Sequence, residues 1–191
     1  FGGEETTPKQ EKDEIVIFKS FLKAGLRFPL HRIIADVLKK FGIYFHQLTP
    51  NAIVRLSVYI WALQSQAVEP FADSFCRVHE LHYQTKARKD GLHDNFGCYN
   101  FAYRKTTKFP VISYRSKWAA GWKSEWFYVK VDDDKEKLVQ SPLELIFGET
   151  RPRCDMTPEG PTQQAMSEFR IIAEHISTRD LVQEFLAFKV F

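Results

Sequence analysis

The sequence predicts an α+β domain that is helix-rich: four N-terminal helices, a small central antiparallel sheet and two or three C-terminal helices. Three observations predict it. Apolar residues recur three and four apart through the first eighty positions, with helix start and stop signals between the runs. The apolar period changes to two from Phe96 onward. Helical spacing returns after the stretch 148–161, which holds three prolines and two glycines and reads as a loop.

Residues 1–12 are polar, carry Pro8 and read as a disordered leader, so the expected domain is 13–191. Asp13 is a cap candidate for a helix through Ile15, Phe18, Phe21 and Leu22, stopped by Gly25. Pro29 stands where a second helix can begin, with the stripe Ile33, Ile34, Val37, Leu38 and Phe41 and a stop at Gly42. His31, at that helix start, is placed to cap it or to pair with an acid. Thr49-Pro50 combines a hydroxyl cap with proline at the first helical position. The helix that follows, over 50–66, is apolar around much of its surface and should be central. Pro70 opens a fourth, carrying Phe71, Phe75, Val78 and Leu81.

Polar residues 84–94 read as a loop. Strands are expected from Phe96 to Tyr103, over Val111–Tyr114 and over Glu125–Val131, which together suggest one small sheet. Ser141-Pro142 starts a short turn of helix from Leu143 to Phe147. A helix follows over 162–176, and Thr178 caps a last one with Leu181, Val182, Phe185 and Leu186.

A hydrophobic fraction of 44% over 191 residues suffices for the core of one large domain. A net charge of +3 is too small to identify nucleic acid as a partner by itself; the distribution of charge decides. Three cysteines, Cys76, Cys98 and Cys154, do not form a disulfide framework and indicate a reducing, intracellular setting, nucleus or cytoplasm. No apolar run approaches the roughly 20 residues of a membrane span, and the N-terminus lacks the features of a signal peptide, so no membrane partner is expected. The first residue is not Met and Val190-Phe191 stops within an apolar pattern, so the chain is expected to be a fragment of a longer protein.

Four blocks occur in order: Phe21-Leu22-Lys23-Ala24-Gly25-Leu26-Arg27-Phe28-Pro29-Leu30-His31, Leu48-Thr49-Pro50-Asn51-Ala52, Gly121-Trp122-Lys123-Ser124-Glu125-Trp126-Phe127-Tyr128-Val129 and Arg179-Asp180-Leu181-Val182-Gln183-Glu184-Phe185-Leu186-Ala187. With these blocks the chain, over residues 15–190, resembles a domain of plant proteins labelled "putative gypsy-type transposon", a transposase-like family. The resemblance implies a plant origin and descent from a retroelement-associated reading frame. It brings no catalytic motif to carry onto these residues.

The strongest candidate site is the stretch 84–130. Its cations Lys86, Arg88, Lys89, Arg104, Lys105, Lys108, Arg115, Lys117, Lys123 and Lys130 face only Asp90, Asp94 and Glu125, leaving +7. Tyr99, Phe101, Tyr103, Phe109, Tyr114, Trp118 and Trp122 are interleaved. Cations neutralise phosphates and rings stack on bases, which suits single-stranded nucleic acid or a phosphate backbone. The same mixture is also what a half-buried sheet presents, rings inward and cations outward. Trp118, Trp122 and Trp126 fall every fourth residue, and an exposed Trp122 would anchor a protein partner.

Other chemistries fit less well. Cys76, His79, His82, His93 and Cys98 are zinc-ligand types, but they follow no zinc spacing and contain no CxxC pair. Asp132 and Glu168 have 35 residues between them, as integrase carboxylates do. About 0.7 such pairs arise by chance in this composition, and an integrase fold leads with strands. No GxSxG elbow, phosphate-cradling Gly-rich loop or HExxH occurs. The sequence therefore points to a non-enzymatic interaction or assembly module that binds a protein partner or itself. The alternative is a nucleic-acid-binding domain that uses 84–130. Neither a metal, a cofactor nor a small-molecule substrate is expected.

Overall fold

A computed structural model describes residues 9, 14–87, 93–104, 118, 121–130 and 160–175. Strand β1 spans Glu14–Phe18 and helix α1 Lys19–Lys23; α2 spans Arg32–Phe41, a 3-10 turn Phe45–Gln47, α3 Pro50–Ser65 and α4 Ala72–Val78. Strands β2 (His79–Ala87), β3 (His93–Tyr103) and β4 (Trp126–Lys130) precede helix α5 (Gly160–His175). The class is α+β, as expected, but the sheet is not single. β1 pairs antiparallel with β4, and β2 pairs antiparallel with β3, as two two-stranded sheets.

The first expected helix begins as a strand. Ile15, Val16 and Ile17 are β-branched and stiff at χ1, which favours an extended backbone. Ile15 through Phe18 are all buried, so the run is covered on both faces and its three-four spacing carries no helical meaning. Ile15 sits opposite Val129 and Ile17 opposite Phe127. The expected loop 84–94 is also shorter: Gln84–Ala87 complete β2 and His93–Asn95 open β3. Thr85 pairs with Asn95 and Lys86 with Asp94 across this ladder, so polar residues are paired through the backbone where no apolar period marks a strand. The fourth helix stops at Val78, and Leu81 is a buried residue of β2. The strand expected at 111–114, the helices at 143–147 and from 178, Cys154 and, Lys9 excepted, the leader lie outside the described residues.

Helix ends follow the expected chemistry closely. Gly25, at φ 106°, closes α1: its N–H donates to Leu22 O, and Leu26 N donates to Phe21 O. Gly42, at φ 64°, closes α2 in the same way, with Gly42 N to Lys39 O and Ile43 N to Leu38 O. His31 caps α2, its Nδ1 accepting from Ile33 N at 3.4 Å, and Thr49 Oγ1 caps α3 by accepting from Ala52 N at 3.2 Å.

α3 is the central helix. Eleven of its sixteen residues are buried, and it packs on α1, β3 and α5. A chain of rings ties five elements together: Phe41–Phe101 at 5.2 Å, Phe101–Phe75 at 5.0 Å, Phe75–Tyr59 at 5.2 Å and Tyr59–Phe169 at 5.2 Å. Each such pair adds about 0.5–1.5 kcal/mol beyond its buried area. Tyr59 is buried yet satisfied, bonded to Ser74 Oγ and donating to Phe71 O at 3.2 Å. No helix of the described residues is long and apolar enough to cross a membrane.

Candidate functional site

The fold divides the basic and aromatic stretch. Arg88, Lys89, Lys105, Lys108, Arg115 and Lys117 lie outside the described residues, as do Phe109 and Tyr114. Lys86 is paired with Asp94 in the β2–β3 ladder. Arg104 is turned inward: its Nε donates to Cys76 O at 3.1 Å and His79 O at 2.9 Å, at the C-terminal end of α4, where a cation is favoured by the helix dipole. Lys123 is exposed, with its Nζ 5.3 Å from the centre of the Trp122 ring.

The described rings are equally committed. Phe101 is fully buried and Tyr99 is nearly so. Trp122 is half-buried, edge-on to Phe18 at 5.2 Å and stacked on Phe21 at 6.0 Å. Trp118 is half-buried and donates from Nε1 to Asn51 Oδ1 at 3.0 Å, beside the start of α3. The described members of the stretch therefore occupy separate places: the β2–β3 ladder, the end of α4, the start of α3 and the β1–α1 junction. Their rings pack against the core and leave no stacking platform among the described residues.

The cysteine and histidine set does not converge either. Cys76, His79 and Cys98 are buried, His82 is exposed, and the side chain of His93 lies outside the described residues. Among the described residues no three His, Cys, Asp or Glu side chains could hold a metal ion. Glu168 is half-buried on α5, and Asp132 lies outside the described residues.

Instead, a buried polar group ties α3 and α4 to β3. Arg55, 4% exposed, donates from Nη1 to Asn100 Oδ1 at 2.6 Å. His79 stacks on Phe75 at 4.2 Å, and its Nδ1 lies 3.1 Å from Phe75 O. That carbonyl makes Nδ1 the protonated nitrogen, so Nε2 is a buried acceptor with no partner among the described residues. Burial foremost, then the positive charges of Arg55 and Arg104, push the His79 pKa down to about 3 despite the bond to Phe75. His79 is accordingly a neutral core ring at neutral pH.

A different site emerges between the α1–α2 connection and α3. A half-open pocket of about 280 Å³ is walled on one side by Gly25, Leu26, Arg27, Pro29, His31 and Ile34, and on the other by Ser57, Ile60, Trp61 and Gln64. The α3 residues are spaced three and four apart, one helical stripe. Leu26, Ile34, Ile60 and Trp61 give it apolar walls, with Arg27, His31, Ser57 and Gln64 as polar groups. Such a cleft suits a bulky apolar group oriented by a few hydrogen bonds. Phe28, between two lining residues, is 43% exposed and joined to Pro29 by a cis peptide bond. The sequence reading missed this site. Its signal was faint: Ser57 and Gln64 are polar interruptions on one face of an otherwise apolar helix.

The chain is thus a helix-rich α+β domain with an apolar surface pocket. Residues 15–83, which contain every residue lining that pocket, match the family model described as "Putative gypsy type transposon". The blocks Phe21–His31 and Leu48–Ala52 fall within the matched residues, and those at 121–129 and 179–187 fall beyond them. No curated protein and no solved structure matches the chain.

Proposed function

We propose that this chain is a non-enzymatic interaction module of a transposon-derived protein, which binds a protein partner or itself through the pocket between the α1–α2 connection and α3. The observation that supports this reading is Phe28, one of two exposed large hydrophobics among the described residues, beside an apolar pocket lined wholly by family-matched residues. Exposed apolar surface next to a concave apolar wall costs solvation unless a partner covers it. The commitment of Tyr99, Phe101, Trp118 and Trp122 to packing favours this reading over nucleic-acid stacking.

The test has two arms. The purified domain is laid on an array of short peptides that present bulky apolar side chains, beside the variant Ser57→Trp, whose indole would occupy the pocket. Retention of peptides by the wild type and loss by the variant is expected. The second arm measures binding of labelled single- and double-stranded DNA and RNA at about 50 and about 200 mM salt. Micromolar, salt-sensitive binding lost on charge reversal of Lys105, Lys108, Arg115 and Lys117, with no peptide retained, would replace this reading by the nucleic-acid one.

A further inference from the structure

We infer that the pocket recognises an acidic peptide segment of a partner protein: a bulky apolar side chain enters it, and a neighbouring Asp or Glu carboxylate is held by Arg27. The inference rests on the interaction reading above and names the partner's chemistry. The described lining residues include one cation, Arg27, and no acid. Leu26, Ile34, Ile60 and Trp61 supply the apolar walls, so the site pairs an apolar hole with a positive charge. A partner complementary to both carries a bulky apolar group beside a negative charge.

Arg27 is held ready for that role. It is exposed, and its Nη1 donates to Leu22 O at 3.3 Å and to Leu26 O at 2.9 Å, at the end of α1. Those two bonds occupy one terminal nitrogen. Nε and Nη2 have no partner among the described residues, and together they form an edge on which a guanidinium grips a carboxylate through two parallel bonds. A guanidinium already tied to the backbone loses little freedom when it takes up an acid. His31 adds a second donor: its Nδ1 accepts from Ile33 N at 3.4 Å, so the hydrogen of the neutral ring sits on Nε2.

The remaining polar lining groups suit a peptide. The Ser57 hydroxyl and the Gln64 amide can each donate and accept, which matches the N–H and C=O of a peptide unit, and neither side chain has a partner among the described residues. Size permits the anchor: an apolar cavity of roughly 150 Å³ admits benzene, and this pocket offers about 280 Å³. Because the pocket is half-open, a chain can cross its mouth while one side chain enters.

Fluorescence anisotropy tests this with dye-labelled, end-capped peptides that carry Phe, Leu or Trp at the centre and Asp, Asn or Lys on both sides. The wild-type chain should bind the Asp set about threefold to tenfold more tightly than the Asn set, and the Lys set most weakly. That preference should shrink between about 50 and about 500 mM salt, while binding of the Asn set holds. Ser57→Trp should lose every set, and Arg27→Gln should lose the preference for Asp over Asn. His31→Asp keeps an oxygen to cap Ile33 N and places an acid at the pocket, so it should fold as the wild type does by circular dichroism and still lose the preference. A preference for Asp that survives in both Arg27→Gln and His31→Asp would overturn the acidic occupant. Phenylacetate that binds as tightly as the Asp set would replace the peptide by a small apolar acid. Peptides bound by the wild type without regard to their charge would sink this inference and leave the interaction reading standing; no binding of any set would sink the two together.

Discussion

Acidification from pH 7 to pH 5 should destabilise this domain through His79. The folded pKa, about 3, lies below the ordinary value of 6.5 because burial and the charges of Arg55 and Arg104 disfavour the imidazolium. The unfolded chain therefore binds a proton that the folded one refuses. Stability from this group is complete above about pH 6.5 and is lost as pH falls from there toward 3. Each pKa unit is worth about 1.36 kcal/mol, so the loss between pH 7 and 5 is about 2 kcal/mol. Other groups titrate too, so the readout is a difference of differences. His79→Phe keeps the stack on Phe75 but cannot be protonated; its lost bond to Phe75 O costs stability about equally at both values of pH. Urea denaturation of both proteins at pH 5, 6 and 7 should show the wild type losing about 2 kcal/mol more than the variant. Parallel pH profiles would refute the placement of a neutral, desolvated imidazole in the core.

Three further perturbations probe other parts of the fold. Thr49→Ala removes the cap on Ala52 N and should cost about 1 kcal/mol in chemical denaturation. Ala67 closes α3 in the left-handed region, at φ 56°, with its N–H bonded to Gln64 O and Val68 N to Leu63 O. Ala67→Gly relieves that strain and should raise stability by about 0.5–1 kcal/mol, read as a higher midpoint at unchanged slope. Trp122→Ala should cost about 2 kcal/mol because the ring packs on Phe18 and Phe21; full stability of this variant would mean that Trp122 is a surface anchor after all.

Helices were legible where chemistry acts locally. Thr49-Pro50, Gly25 and Gly42 are read from a few neighbouring residues, and each does in the fold what its type dictates. His31 was given two roles, and the geometry selects the cap. β1 was misread because its identity is not local. Ile15-Val16-Ile17-Phe18 becomes a strand when residues more than a hundred positions away supply its hydrogen-bonding partner, and a short apolar run fits helix and strand equally. The opposite error occurred at 84–94, where pairs such as Lys86 and Asp94 are matched across a ladder and display no apolar period.

The site was harder to read for a reason that composition cannot repair. A ring interleaved with cations has the same sequence signature whether it faces a base or a core, and only exposure separates the two. At Phe101, Tyr99, Trp118 and Trp122 the ring faces inward or is half covered, and at Arg104 even the cation turns in to cap a helix. Phe28 shows the converse. It sits in an apolar block, Leu26 to Leu30, whose first member is buried, and nothing in the order of residues marks it as the one left at the surface. Phe28 follows the turn that Gly25 permits and the bonds of Arg27 to the carbonyls of Leu22 and Leu26. A binding reading that rests on Phe28 therefore depends on geometry three residues upstream. Gly25→Ala should weaken association along with α1: a methyl group at φ 106° strains the turn that leads to Phe28, and Gly25 itself lines the pocket. Association that survives Gly25→Ala unchanged, beside a destabilised α1, would show that the placement of Phe28 by this turn does not matter for binding.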